Sequence, residues 1–280
     1  PHVLVMTATP IPRTLALTLY GDLDVSVIDE LPSGRKEIIT SHRFDNSRLK
    51  VFNFIKKTVD LGGQVYVVYP LIEESAKKDH KDLIDGYKSL TRYFPETQIG
   101  VLHGRMKSEN KEYEMKRFAD GKSKILVSTT VIEVGVDVAN ASVIIIESAE
   151  RFGLSQLHQL RGRVGRGSAQ SYCILMTKYD LNNDSKERIK AMVGSSDGFK
   201  IANVDLKMRG PGNMMGTKQS GLLELRFVNL AEDYNVIKQT RIVASELIKD
   251  DPNLSDQKNK GTKEHLKKSI KSNINWSRVS

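Results

Sequence analysis

The sequence has 280 residues, 39% of them hydrophobic and 28% charged, which is enough apolar content for one large core or two small ones and too much for a disordered chain. Its longest apolar runs, such as Val143 to Ile146, fall far short of the roughly 20 residues that a membrane-spanning helix needs, no signal-peptide pattern opens it, and a single cysteine excludes an internal disulfide framework; a cytoplasmic protein without a membrane partner is expected. The net charge of +9 points to a polyanionic partner, yet residues 256–280 alone hold seven Lys/Arg against two acids, so most of the excess sits in a basic tail that either holds nucleic-acid phosphates or lies solvated and poorly ordered.

Short runs rich in Val and Ile alternate with longer amphipathic stretches, the pattern of an α/β fold with a mostly parallel sheet covered by helices. Strands are expected at Val3 to Met6, Ile38 to His42, Gln64 to Tyr69, Ile99 to Leu102, Lys124 to Ser128, Val143 to Glu147 and Tyr172 to Met176. The first leads into Thr7-Ala8-Thr9-Pro10-Ile11-Pro12, and Leu31-Pro32-Ser33-Gly34-Arg35 reads as a linker, so residues 1–35 are expected to close one domain and residues 36–180 to form a second. Cys173, inside the last apolar run, reads as a buried strand thiol. Beyond it the pattern turns helical. Asp184 to Val193 and Gly198 to Met208 would pair as a hairpin ahead of a glycine-dense loop from Arg209 to Gly221, the hairpin and loop filling residues 181–230. Another helix from about Leu230 to Lys249 and the basic tail then fill residues 231–280.

The strongest local signal is Gln159-Leu160-Arg161-Gly162-Arg163-Val164-Gly165-Arg166-Gly167. On a helix starting near Ser155, the +4 and +3 spacing puts Gln159, Arg163 and Arg166 on one face while Leu154, Leu157 and Leu160 pack inward. Two always-charged, fork-shaped guanidiniums suit a triphosphate, although the pattern alone also fits a surface RNA-binding patch. Upstream, Ile125 to Asp137 reads as a buried strand delivering hydroxyls, a glycine and a carboxylate to its C-terminal end, where open α/β sheets bind ligands; an ordinary strand with a polar turn fits as well. His103 and His158 read as packing or hydrogen-bonding residues.

In order and spacing these two stretches resemble motifs V and VI of superfamily-2 helicases, and Thr7-Ala8-Thr9 resembles motif III. The run Thr7 to Thr14, the segment Leu102-His103-Gly104-Arg105-Met106 and the unbroken Glu150 to Gln159 are similar to the bacterial RecG fork helicases, and the glycine-rich loop resembles that family's translocation motif, shared with the transcription-repair coupling factor Mfd. The segment Leu19 to Arg35 has the RecG form. Two departures stand out: Ala139 where a proline is usual, and Lys218 for a common arginine, which keeps the charge and loses the bidentate fork.

The resemblance implies a second RecA-like lobe followed by a helical hairpin, and an ATP-driven DNA motor that remodels replication forks and Holliday junctions. It implies Arg163 and Arg166 as arginine fingers toward ATP, with Gln159 beside them, and Glu133, Gly135 and Asp137 lining the nucleotide side. Thr7, Ala8, Thr9 and Arg13 would couple hydrolysis to lobe movement, Arg105, Thr129 and Thr130 would lie toward the DNA track, and Arg209, Lys218 and Gln219 would belong to the coupling loop. The phosphate-cradling Gly-x-x-x-x-Gly-Lys-[Ser/Thr] loop is absent from the sequence, so ATP with Mg2+ is expected to be gripped by a first lobe outside it, and the fragment alone to be inactive. The implied partner is branched double-stranded DNA, read by shape and not by sequence, with a monomeric motor, a contact to single-stranded DNA-binding protein and a bacterial, nucleoid-associated location. The alternatives are an Mfd-like translocase and a non-enzymatic DNA-binding module.

Overall fold

The computed structural model describes residues 34–70, 76–130, 138–209 and 233–273, with the isolated positions 4, 6, 26, 28 and 30. Among them the apolar runs become strands β1 (Ile39–Phe44), β2 (Gln64–Val68), β3 (Ile99–Leu102), β4 (Ile125–Ser128), β5 (Ala141–Ile146) and β6 (Tyr172–Thr177). These lie in one sheet of order β1-β6-β5-β2-β4-β3, parallel at every pairing. Of the expected strand at Val3 to Met6, Leu4 and Met6 are described, both exposed and neither in a strand, while Val3 and Val5 lie outside the described residues. Helices α1 (Arg48–Asp60), α2 (Ala76–Tyr93), α3 (Ser108–Ala119), α4 (Leu154–Arg161), α5 (Asn183–Gly194) and α6 (Gly198–Arg209) follow the strands, and α7 (Tyr234–Asp250) and α8 (Lys260–Asn273) come last.

Both faces of the sheet are covered, which is why its strands read as near-continuous apolar runs and not as alternating ones. On one face Val65, Val67, Ile125, Val127, Val143 and Ile145 pack against Val51, Phe52 and Ile55 of α1 and Leu83 and Leu90 of α2. On the other, the Tyr66 ring meets Phe118 of α3 at 4.8 Å between centroids. Gln64, fully buried at the start of β2, donates its amide to the carbonyls of Phe118 (2.5 Å) and Ser123 (2.9 Å) and so anchors the end of α3 to the sheet. Cys173 is buried in β6, and that burial pushes its thiol pKa up to about 12, as an inert strand thiol requires.

The chain divides into two compact units, one mainly Ile28–Asp205 and the other mainly Leu206–Ser280. In the second, α7 and α8 are joined through Asp251. Its carboxylate accepts the amides of Ser255 (2.7 Å) and Asp256 (2.9 Å) and the side-chain amide of Asn259 (2.8 Å), beside a buried Leu254 held at φ 47°. The basic segment is helical over α8, so the expectation of a poorly ordered terminus does not hold from Lys260 to Asn273. Lysines carry little helix penalty, and Lys260, Lys263 and Lys267 recur at helical spacing.

Candidate functional site

Two groups of candidate residues lie at opposite edges of the sheet. At the C-terminal edge the ladder runs one residue past the strands: Tyr69 donates to the Ser128 carbonyl (2.8 Å), Thr129 to Leu102 (3.1 Å) and Glu147 to Val68 (2.8 Å). Here Ser128 and Thr129 present hydroxyls that are fully buried and lack hydrogen-bond partners, and the sequence continues into Thr130. Next to them, the turn closed by the Met106 amide on the His103 carbonyl (3.1 Å) carries Arg105, exposed, at the end of β3. The fold thus brings Arg105, Thr129 and Thr130 to one edge.

Also at this edge, the Arg48 guanidinium of α1 grips Glu147 bidentately at 2.6 and 2.9 Å and reaches Asp45 at 3.0 Å. Burial works against the arginine's charge, but the hydrogen bonds and charge of Glu147 outweigh it and raise its pKa. Burial, and then the Glu147 charge, likewise raise the pKa of Tyr69. No local pattern announces the pair, because its members are 99 positions apart.

The arginine-rich stretch lies at the other edge. Leu154, Leu157 and Leu160 of α4 are buried as expected, and the Gly153 amide at the helix start is met by Gln156 Oε1 at 3.1 Å. The expectation of a common helical face for Gln159, Arg163 and Arg166 is corrected: α4 ends at Arg161. Gly162 caps it, the amides of Arg163 and Val164 step back only three residues, to Leu160 and Arg161, and Gly165 takes the left-handed conformation at φ +79°. Arg163 and Arg166 are therefore presented from a turn, with Arg166 Nε bonded to the Gly162 carbonyl at 3.3 Å, while Gln159 stays on the helix.

Contacts on both sides shape this turn. A Cβ on Gly167 would stand 2.6 Å from the Ala139 carbonyl, so only glycine lets the chain pass so close to the start of β5. The Arg35 Nε donates to the Gly165 carbonyl at 2.9 Å.

Arg161 itself is 3% exposed. Its guanidinium donates to the carbonyls of Met192 (3.1 Å), Ser195 (2.7 Å) and Ser196 (3.1 Å) and to Thr40 (3.3 Å), and meets His158 Nδ1 at 3.1 Å. This last bond requires the Nε2–H tautomer of His158, in keeping with the lowering of its pKa by burial. Arg161 thus satisfies the carbonyls at the end of α5 and in the link to α6. It was missed in favour of its neighbours, although spacing gives it away: 154, 157 and 161 are one inward stripe.

Nearby, Arg188 of α5 donates to the Glu150 carbonyl and to Ser185 Oγ, both at 2.9 Å, and Asn182 caps α5 by accepting the Ser185 amide at 2.8 Å. Thr7, Ala8, Thr9, Arg13, Glu133, Gly135, Asp137, Lys218 and Gln219 lie outside the described residues, as does the side chain of Arg209. Among the described residues no cluster of three or more His, Cys, Asp or Glu is arranged to hold a metal ion, and no helix is long and apolar enough to cross a membrane.

Residues 48–168 match the family described as the helicase conserved C-terminal domain, and residues 195–280 match that described as ATP-dependent DNA helicase RecG, domain 3, C-terminal. A RecG helicase of Synechocystis sp. is 55% identical over 91% of the chain and 31% of its own length, and one of Thermotoga maritima is 50% identical over 85% of the chain and 30% of its own. A solved structure of RecG bound to a three-way DNA junction superposes with a TM-score of 0.65 at 46% identity, covering 82% of this chain and 30% of the other. The chain spans about a third of the length of the curated relatives it matches.

Proposed function

The chain belongs to the RecG family of DNA helicases, and we propose that it supplies the second motor lobe and the coupling helices of an ATP-dependent translocase that remodels branched double-stranded DNA. The observation that carries this reading is the arginine turn: a turn held by backbone contacts at one sheet edge that carries Arg163 and Arg166, the latter bonded through Nε to the Gly162 carbonyl, in a sequence that has no phosphate-cradling loop of its own. Such a turn suits an active site completed by a first lobe.

ATP, when bound, supplies the phosphoanhydride whose hydrolysis drives lobe movement. The residues present fit its anionic end: Arg163 and Arg166 would meet charge developing on the transferring phosphoryl group, with Gln159 beside them and Glu133, Gly135 and Asp137 lining the same side. The ligands of Mg2+ would come from the first lobe.

At the opposite edge, Arg105, Thr129 and Thr130 would hold DNA phosphates without reading bases. The exposure of Arg105, on the turn that follows β3 beside Thr129 and Thr130, supports that assignment. Thr7, Ala8, Thr9 and Arg13 would couple the lobes, and Arg209, Lys218 and Gln219 would carry movement into the duplex. The reading places residues 1–35 at the end of the first lobe and its linker, 36–180 in the second lobe, 181–230 in the hairpin and loop, and 231–280 in the last helices and basic tail. It extends to a monomeric motor in the bacterial cytoplasm near the nucleoid, working on forks and Holliday junctions and touching single-stranded DNA-binding protein.

The test is DNA-stimulated ATP hydrolysis by the full-length protein with and without Arg163→Ala and Arg166→Ala, beside the fragment alone. The expected result is a loss of about 10²–10³ in kcat for each variant, the scale of removing one positioned charge-stabilising donor, and no turnover by the fragment. Robust turnover by the fragment would sink the two-lobe active site.

A further inference from the structure

We infer that Arg35, just ahead of the first strand, is a positioning residue for the arginine turn: its Nε holds the carbonyl of Gly165 and thereby sets how Arg163 and Arg166 are presented. The inference rests on the reading of that turn as the nucleotide-facing element.

Gly165 stands between the two arginines at φ +79° and has no side chain by which to be held, so its carbonyl is the handle available. Arg35 takes that handle at 2.9 Å from 130 positions away. Glu37, Ile38 and Ile39 reinforce the contact. Ile38 occupies the space where a Cβ on Gly165 would be, its Cγ1 lying 2.9 Å from that point. Gln170, beyond the turn, donates to the Glu37 carbonyl at 2.8 Å, and the Ile39 amide bonds Ser171 at 3.0 Å. The Glu37 carboxylate accepts the Ser196 hydroxyl, in the same α5–α6 link whose carbonyls Arg161 satisfies.

Arg35, Glu37 and Ile38 therefore touch both the arginine turn and the link into α6. On the proposed domain division, these residues are where the linker from the first lobe enters the second. A displacement of the linker has a direct path to the Gly165 carbonyl, and a reacting geometry off by about 1 Å can cost on the order of 100-fold in rate. The linker thus has the placement of a gauge: when the lobes are correctly set, Arg35 reaches Gly165 and the arginines are aimed.

Arg35→Met and Arg35→Gln in the full-length protein separate this role from charge and from stability. Glutamine hangs its Nε2 from Cδ, where arginine carries Nε, and so keeps a donor to Gly165 without the charge, whereas methionine keeps the stem and loses the donor. Expected for Arg35→Met is a fall of at least about tenfold in DNA-stimulated kcat, with KM for ATP changed less than about threefold and the thermal midpoint unchanged, because positioning acts on the transition state. Arg35→Gln should recover most of that kcat. A wild-type kcat in Arg35→Met, or a Gln variant as slow as the Met variant, overturns the inference. Arg163→Ala, run beside them, identifies which reading has failed: unchanged turnover there removes the nucleotide-facing turn itself, while its loss together with an unaffected Arg35→Met removes only the role of Arg35.

Discussion

Arg161 donates to the main-chain carbonyl of Ser195 at 2.7 Å from a position 3% exposed, so a fully charged group in the core is spent on closing the end of one helix and the link to the next. Arg161→Ala would leave the Met192, Ser195 and Ser196 carbonyls without this donor and open a cavity. We expect a loss of about 3 kcal/mol or more in denaturant unfolding of the lobe, since a buried polar group stripped of its partner costs about 1–3 kcal/mol. Arg161→Lys, one ammonium in place of a fork, should recover only part of it. A change under about 0.5 kcal/mol, the range of surface substitutions, would show that the carbonyls find other partners.

The Arg48–Glu147 pair lends itself to a double-mutant cycle. Glu147 is nearly buried at 6% side-chain exposure while Arg48 is 36% exposed, so solvent screens the pair from one side. A coupling of about 1–2 kcal/mol is expected, above the usual 0–1 kcal/mol of a surface bridge and below the value for a fully buried one. Arg48→Ala should be worse than Glu147→Gln, because it strands a buried carboxylate. Equal, small effects from both would reduce the pair to a surface contact.

Asp251 gives the second unit a dependence on pH. The amide of Ser255 first, then Asn259 and the amide of Asp256, favour its ionised form and hold its pKa below the ordinary aspartate value of 3.8. Its folded pKa being depressed, its contribution is complete above the unfolded value and disappears as pH falls through the lower folded one. Hydrogen exchange at Ser255 and Asp256, corrected for intrinsic rates, should lose protection as the pH drops below 3.8 in the wild type. In Asp251→Asn the protection should be weaker and flat with pH. Parallel curves for the two proteins would show that the carboxylate is not what organises the loop.

Gln219→Ala tests the coupling loop. In the full-length protein we expect unwinding of forked DNA to collapse while DNA-stimulated ATP hydrolysis largely persists. If both activities are untouched, the loop is scaffold.

The sheet was legible because strands covered on both faces leave unbroken Val/Ile runs; Ile99 to Leu102 was placed to the residue, and β1, β2, β4, β5 and β6 to within two residues. The helical face assigned to Arg163 and Arg166 was an over-extension of a sound period: Leu154, Leu157 and Leu160 do face inward, but Gly162 stops the helix before the arginines. Glycine just after a basic residue is itself a stop signal and outranks periodicity there. Arg48 with Glu147, and Arg35 with Gly165, left no trace in the sequence, since each joins residues that only the fold brings together. The helix in the basic tail left only a weak signal, since its lysines at 260, 263 and 267 fit a helical face and a solvated charged tail equally well.

The order of the sheet has a consequence for synthesis. Among the described residues, β1 is the first strand in chain order and an edge strand whose one neighbour is β6, the last. Until residue 172 has emerged, β1 lacks that described partner, and Arg35 has gained its carbonyl only a few residues sooner. Closure of such a long loop is slow, and an unpaired edge invites wrong partners meanwhile. The join between this lobe and whatever precedes it is therefore among the last things to set, and a nascent or truncated chain ending before β6 would be left with a loose hinge and an exposed strand open to capture by chaperones or proteases.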